Sequence, residues 1–421
     1  MKQFMAERSV RIRGGNRLVW LAGVLVAFIG LKWSPSANAQ SFRVLHTFNG
    51  NGDGRCYGGL AIDRSTVYGT TNLGGTIFSV GTDGMNFSTL YTFGSNGDNH
   101  AAGLPNGSLV VSGNTLYGTT FGGGSKGGGV VYRIGEDGTG YTDLHSFNYT
   151  TASGTGDEPF GGLTMVGSTL YGTTFSGGYG YNSGTIFTLG VDGNNFRNLY
   201  YFAGYGEQPA GNLAFDGSAL YGTTVYAGSN GYGIVYRFDL GDSNFSYLHS
   251  FTGGGNDGIQ PWAGVVISGS TVYGTTYQGG SNSLPGYGTV FRMGVDGSNF
   301  TLLHSFGING DGANPLSGLI LNGETLYGMT TNGGDANDGT IFEIGTDGNG
   351  YRVLHSFSGS DGGNPQGELT FDGSTLYGAT FGGGNGNGTV FALTVPEPSS
   401  IALFGMGAIG LVAYARWRRS R

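Results

Sequence analysis

A hydrophobic residue followed by Tyr-Gly and then by two residues, the second of them Thr, occurs seven times between Val67 and Thr380. The tyrosines are Tyr68, Tyr117, Tyr171, Tyr221, Tyr273, Tyr327 and Tyr377, with spacings of 49, 54, 50, 52, 54 and 50 residues. A period near fifty, kept through seven copies, indicates a repeat architecture in which each copy is one supersecondary unit closed by its neighbours.

One unit reads as four strands. From Gly318 to Leu321 runs an apolar segment that turns at Asn322-Gly323 into a second, Glu324 to Thr330. After the loop Asn332-Gly333-Gly334-Asp335, a third runs from Gly339 to Ile344 and turns at Asp347-Gly348 into a fourth, Tyr351 to Phe357. Asn-Gly and Asp-Gly supply the positive φ angles of two-residue hairpin turns. Seven antiparallel four-stranded units predict an all-β chain folded as a seven-bladed β-propeller over residues 40–394. The seventh copy enters Val395-Pro396 without a fourth strand, while an unattached fourth strand, Phe42 to Phe48, stands near the N-terminus. That strand is expected to complete the last blade and close the ring, removing an open edge. A calcium-binding parallel solenoid requires a nine-residue period, and none is visible.

Glycine accounts for 89 of 421 residues, without a collagen Gly-X-Y period. The glycines cluster between short apolar runs, as tight turns require, and aromatics at 13% argue against disorder. Charge is divided unevenly. Residues 40–395 hold 9 basic and 25 acidic side chains, a net of −16, which excludes nucleic acid and anionic membranes as partners of the repeats. Cys56 is the single cysteine, so no internal disulfide forms, and it has no basic neighbour beyond Arg55 to activate it.

Both ends read as addresses. Residues 1–39 carry a basic segment, an apolar run from Leu18 to Leu31 and the small-residue site Ala37-Asn38-Ala39, the pattern of a secretory signal cleaved before Gln40. At the other end, residues 395–421 contain Pro396-Glu397-Pro398, an apolar run over 401–415 with Gly405, Gly407 and Gly410, and a tail with Arg416, Arg418, Arg419 and Arg421. Basic residues after an apolar run stay cytoplasmic, so a C-terminal membrane-anchor helix is one reading. The three-part segment also closely resembles the PEP-CTERM sorting signal of Gram-negative bacteria. That resemblance implies recognition by exosortase, a membrane transpeptidase, removal of the tail near Pro396, and a surface or exopolysaccharide-associated product of a biofilm-forming cell. The Leu-Tyr-Gly-Thr-Thr, Gly-Thr-Val-Phe, Asp-Gly and Leu-His-Ser-Phe pieces resemble GloVer tandem repeats, which implies architecture and surface location and transfers no activity.

Three sets of side chains are candidates for chemistry. Five of the six histidines, His46, His145, His249, His304 and His355, occupy one place in the fourth strand, where two other units have Tyr91 and Tyr200. Equivalent positions on separate blades point apart, so these are read as packing residues rather than metal ligands. The loops from each fourth strand to the next first strand share a face with the loops from second to third strands, and each holds an acid: Asp53, Asp98, Asp157, Glu207, Asp257, Asp311 and Asp361. One reading is an acidic rim around the central channel, with calcium the candidate ion. The other is that these acids stabilise turns. Tyr57, Phe160 and Trp262 lie in the same loops, each two residues before a glycine. They are suited to stacking on sugar rings, or to plugging against the next blade.

No Gly-x-Ser-x-Gly elbow, His-Glu-x-x-His motif or phosphate loop occurs, and no catalytic or metal-binding residue is assigned. The leading expectation is an exported, surface-sorted, non-enzymatic protein that binds or organises extracellular polysaccharide. A secreted polysaccharide hydrolase or lyase and a purely structural matrix protein are the alternatives.

Overall fold

The computed structural model describes residues 40–395 except 52, 95–102, 150–153, 155, 179–182, 204–206, 281–284 and 308–309. The signal segment with Ala37 and Ala39, the motif Pro396-Glu397-Pro398, the apolar run 401–415 and Asp98 lie outside the described residues. Residues Gln40–Val395 form one compact unit. Its strands make seven four-stranded antiparallel sheets and two small two-stranded ones, and the described residues contain no helix.

Six blades are continuous in sequence, for example Ile320–Asn322, Thr325–Thr330, Thr340–Gly345 and Arg352–Ser356. The seventh joins Thr370–Phe371, Thr375–Ala379 and Thr389–Thr394 to the N-terminal strand Ser41–Thr47. Ser41 pairs with Thr394 and Thr47 with Thr389, with a bulge between Val44 and His46. The predicted closure is therefore present.

The Tyr-Gly signature has a packing cause. In every blade the glycine of the second strand pairs across the sheet with an aromatic of the third, such as Gly69 with Phe78, Gly222 with Tyr236 and Gly274 with Phe291. The ring lies over the glycine: a Cβ added at Gly274 would sit 2.5 Å from Phe291 Cζ, which is fully buried. A Gly274→Ala chain should lose about 1–3 kcal/mol, the usual cost of overpacking a filled core, and equilibrium denaturation will measure it. The second Thr of the signature also has a fixed partner. In five blades its hydroxyl meets the first Thr of the third strand, at 2.7 Å for Thr71 and Thr76 and 2.8 Å for Thr276 and Thr289.

Blade is joined to blade by stacked rings on the fourth strands. His46 stacks on Phe87, Tyr91 on Tyr141, His145 on Phe196 and Tyr200 on Phe245. His249 stacks on Phe300, His304 on Tyr351 and His355 on Phe42. Centroid distances run from 3.6 Å for His46–Phe87 to 4.2 Å for Tyr91–Tyr141, with planes within 10°. Each ring bridges to the following blade, so the seven pairs make a closed belt. The histidines are packing residues, as their exchange with tyrosine implies.

Candidate ligand site at the channel mouth

Just before its first strand, each blade sends a short segment to the propeller axis. Six begin with proline and the first with Cys56, and each ends at Leu or Val: Cys56 to Leu60, Pro105 to Leu109, Pro159 to Leu163, Pro209 to Leu213, Pro261 to Val265, Pro315 to Leu319 and Pro365 to Leu369. The residue before the proline or cysteine turns the chain sharply inward. Arg55, Glu158, Gln208, Gln260, Asn314 and Asn364 all have φ between 50° and 58°, uncommon for residues with a side chain. The first Thr of the signature then holds the neighbouring segment: Thr119 Oγ1 donates to Gly161 O at 3.0 Å and Thr223 Oγ1 to Ala263 O at 2.7 Å.

At the mouth, the seven blades differ. The residue after the proline or cysteine is Tyr57, Asn106, Phe160, Ala210, Trp262, Leu316 or Gln366, seven types at one position. Together these line the axial cavity. Tyr57 and Phe160 meet edge to face with centroids 5.3 Å apart, and Phe160 and Trp262 lie at 6.1 Å. The structure thus brings the three candidate aromatics together, although they come from alternate blades.

A second tier, missed in the sequence, surrounds them. The residue after the last Thr of the signature contributes Phe121, Phe175 and Phe381. Phe175 lies nearly parallel to Trp262, at 14° and 6.2 Å, while Phe121 reaches Phe160 and Phe381 reaches Tyr57. Tyr277, at the same position, lies close enough that, after burial, it is the second cause raising the Tyr57 hydroxyl pKa. All seven rings are half-buried, an aromatic rim with open edges. The signal available in the sequence was the aromatic after Thr-Thr in some units and not others.

Two residues deeper on the same side, the blades carry Gly59, Ser108, Gly162, Asn212, Gly264, Gly318 and Glu368. Asn212 Nδ2 donates to Glu368 Oε2 at 2.6 Å across the axis, and its Oδ1 accepts from Gly162 N at 2.5 Å. Ser108 Oγ accepts from Gly59 N at 3.1 Å. Burial drives the Glu368 carboxyl up to about 7 against the opposing Asn212 hydrogen bond. The cavity measures about 50 Å³, so the channel is a narrow throat.

The loop acids among the described residues are placed differently from the rim expected of them, and none of these six lines the cavity. Asp257, Asp311 and Asp361 each bond the histidine of the preceding fourth strand, His249, His304 and His355, at 3.0 Å through Nε2. Backbone N–H groups of Thr252 and Gly258 complete Asp257. Although burial raises Asp257 and Asp311, these hydrogen bonds hold both below the usual carboxylate range. Burial lowers the His46 pKa and the charge of Asp53 opposes it, without a hydrogen bond at His46 Nε2 among the described residues, and Glu207 Oε1 accepts from Tyr247 OH at 3.0 Å. Asp157 is buried beside Ser176 and lifted to about 6, by desolvation first and Glu158 second. The physical reason is reach: the loops after His249, His304 and His355 fold back on their own fourth strands, so Asp257, Asp311 and Asp361 fasten the stacked belt at the periphery rather than the mouth. Among the described residues no three His, Cys, Asp or Glu converge as a metal would require. Cys56 is fully buried, and desolvation followed by Asp53 pushes its thiol far up, so it is an inert core residue.

The third strand of the last blade starts beside the mouth at Thr389 and ends at Thr394, on the face of the tight turns. The chain therefore leaves the propeller on the face away from the aromatics, and Ser41, paired with Thr394, enters there.

A family model described as the Gloeobacter/Verrucomicrobia repeat matches residues 30–218 and 208–405, and one described as the PEP-CTERM protein-sorting motif matches 394–419. No curated protein matches. Among solved structures, a streptogramin B lyase is similar at 13% identity and TM-score 0.56, over 84% of this chain and 97% of that one. A GH74 enzyme of Niastella koreensis is similar at 15% and 0.55, over 83% and 53%. An oligogalacturonate lyase of Vibrio parahaemolyticus is similar at 10% and 0.53, over 85% and 94%. At these identities the likeness shows the fold alone.

Proposed function

The chain belongs to the Gloeobacter/Verrucomicrobia repeat family and ends in a sorting motif that marks an exported, surface-sorted protein, and from that premise we propose that it binds extracellular polysaccharide through its channel mouth without transforming it. One observation carries the reading: the blades repeat one another closely in the belt and the core, yet depart at the mouth, where Tyr57, Phe160 and Trp262 meet over one cavity. Aromatic faces bury the apolar face of a pyranose at little entropic cost.

The PEP-CTERM motif is the recognition signal of exosortase. We further propose a transient inner-membrane stage before the tail is removed, in a Gram-negative, biofilm-forming host.

A glycosidase of the common two-carboxylate type needs two facing acids. Glu368 is the one acid among the residues lining the cavity. This favours binding over hydrolysis.

Purified protein should be retained on the host's exopolysaccharide, with and without calcium, and should release no new reducing or unsaturated ends. Trp262→Ala and Phe160→Ala should each weaken retention about tenfold, the 1–2 kcal/mol of one well-placed aromatic anchor, while Trp262→Phe keeps most of it. New ends would replace the binding reading with an enzymatic one. Retention unchanged in both alanine variants would remove the mouth from consideration.

A further inference from the structure

Glu368 is a carboxylate without a counter-charge. Its Oε2 takes the Asn212 hydrogen bond, and its Oε1 has no hydrogen bond among the described residues. It lies toward Gly318, where an added Cβ would be 2.6 Å away. Among the described residues no Lys, Arg or His pairs with it. The seven axial positions contain four glycines, and Glu368, Ser108 and Asn212 occupy the space beside them. Ser108 and Asn212, the other two polar side chains at this level, face it from separate blades. An acid in a filled, unpaired setting is normally replaced or neutralised, because burying a lone charge is costly. Here it stands at the base of the cavity whose rim is aromatic.

We infer that the throat receives the ammonium group of an amine-bearing sugar, paired with Glu368 while the sugar ring stacks on Phe160 and Trp262. This rests on the polysaccharide reading above and narrows it to a ligand class. Size supports it: about 50 Å³ holds an ammonium group and a water or two, far less than a ring-sized ligand needs. Charge supports it too. A domain of net −16 repels uronic and sulfated polymers and attracts a cationic one. Aromatic faces around the throat add cation–π attraction for the same group. Asn212 orients the carboxylate, and Ser108 Oγ, 3.5 Å from Asn212 Nδ2, completes the polar wall.

The test compares an oligomer of β-1,4-linked glucosamine with its fully N-acetylated counterpart by titration calorimetry on the purified protein, wild type and Glu368→Gln. The glucosamine oligomer should bind the wild type more tightly, and Glu368→Gln should weaken it about 10- to 100-fold, as expected of a charge-assisted hydrogen bond. The acetylated oligomer should not respond to the substitution. Equal binding of both oligomers, indifferent to Glu368→Gln, would overturn the amine assignment and leave sugar stacking in place. Failure of both oligomers, with the host exopolysaccharide still retained, would also overturn it. If neither the oligomers nor the exopolysaccharide bind, the polysaccharide reading falls and the amine assignment with it.

Discussion

A chain that begins at Gly50 rather than Gln40 should lose its cooperative fold. The missing strand, Ser41–Thr47, contributes the whole outer edge of the last blade and touches three blades at once. Phe42 stacks on His355 of the sixth blade at 3.7 Å and packs on Phe391 of the seventh. His46 stacks on Phe87 of the first, and Phe48, fully buried, meets Phe78 edge to face. Leu45 is buried in the same cluster. Removing Phe42, Leu45 and Phe48 forfeits about 1.5–3 kcal/mol each in burial alone, against a typical total stability of about 5–15 kcal/mol. Two links of the seven-member belt break together, and Thr389–Thr394 becomes an unpaired edge. The expected result is loss of the sharp thermal transition together with aggregation. A peptide of residues 40–50 supplied in excess should restore soluble, folded protein, because the strand is held without covalent help. A truncated chain that melts like the full one would show that the ring does not depend on this closure.

The same strand shows why the architecture was legible. Its pattern, an aromatic, three residues, His or Tyr, one residue, Phe, is repeated in every unit because the first two rings stack on adjacent blades and the third fills the core. The Tyr-Gly signature is equally forced, since the aromatic opposite leaves no room for a Cβ. Constraints repeated seven times appear as a period. The acids were harder to place. Asp257, Asp311 and Asp361 follow their histidines by eight, seven and six residues. Reading a pair from that drifting interval requires knowing that the loop folds back. Glu368 gave still less: it is one acid among 25, and its meaning comes from six other segments that end at the same level of the axis. Only by aligning the seven segments on their closing Leu or Val does it stand opposite glycines. Singular sites have no period, and here the singular residues are the ones proposed to meet the ligand.

Glu368→Gln should make the protein more stable at pH 8 and leave it nearly unchanged at pH 4. Gln keeps an Oε1 acceptor for Asn212 Nδ2 and nearly the same volume, so the substitution removes charge and little else. In the folded protein, burial raises this carboxyl to about 7 from an ordinary 4.5. Folded protein therefore holds the proton more tightly than unfolded protein, and stability falls as pH rises from about 4.5 through 7. Below that window both states are protonated, and acid and amide are equivalent. Above it the wild type carries an unpaired charge in the throat. Allowing for the partial access of water to the channel, the cost is about 1–3 kcal/mol, equivalent to roughly 2–5 °C in a chain of this size. Asp157, lifted to about 6, titrates in an overlapping window, but it is common to both proteins and cancels in the comparison. Thermal melts of the two proteins at pH 4 and 8 measure the difference directly. A gain at pH 8 would identify Glu368 as a residue that costs the fold stability, and an amine ligand should then stabilise the wild type at pH 8 but not Glu368→Gln. Equal melting at both pH values would mean that the throat solvates the carboxylate well, which would remove the physical reason for a cation there.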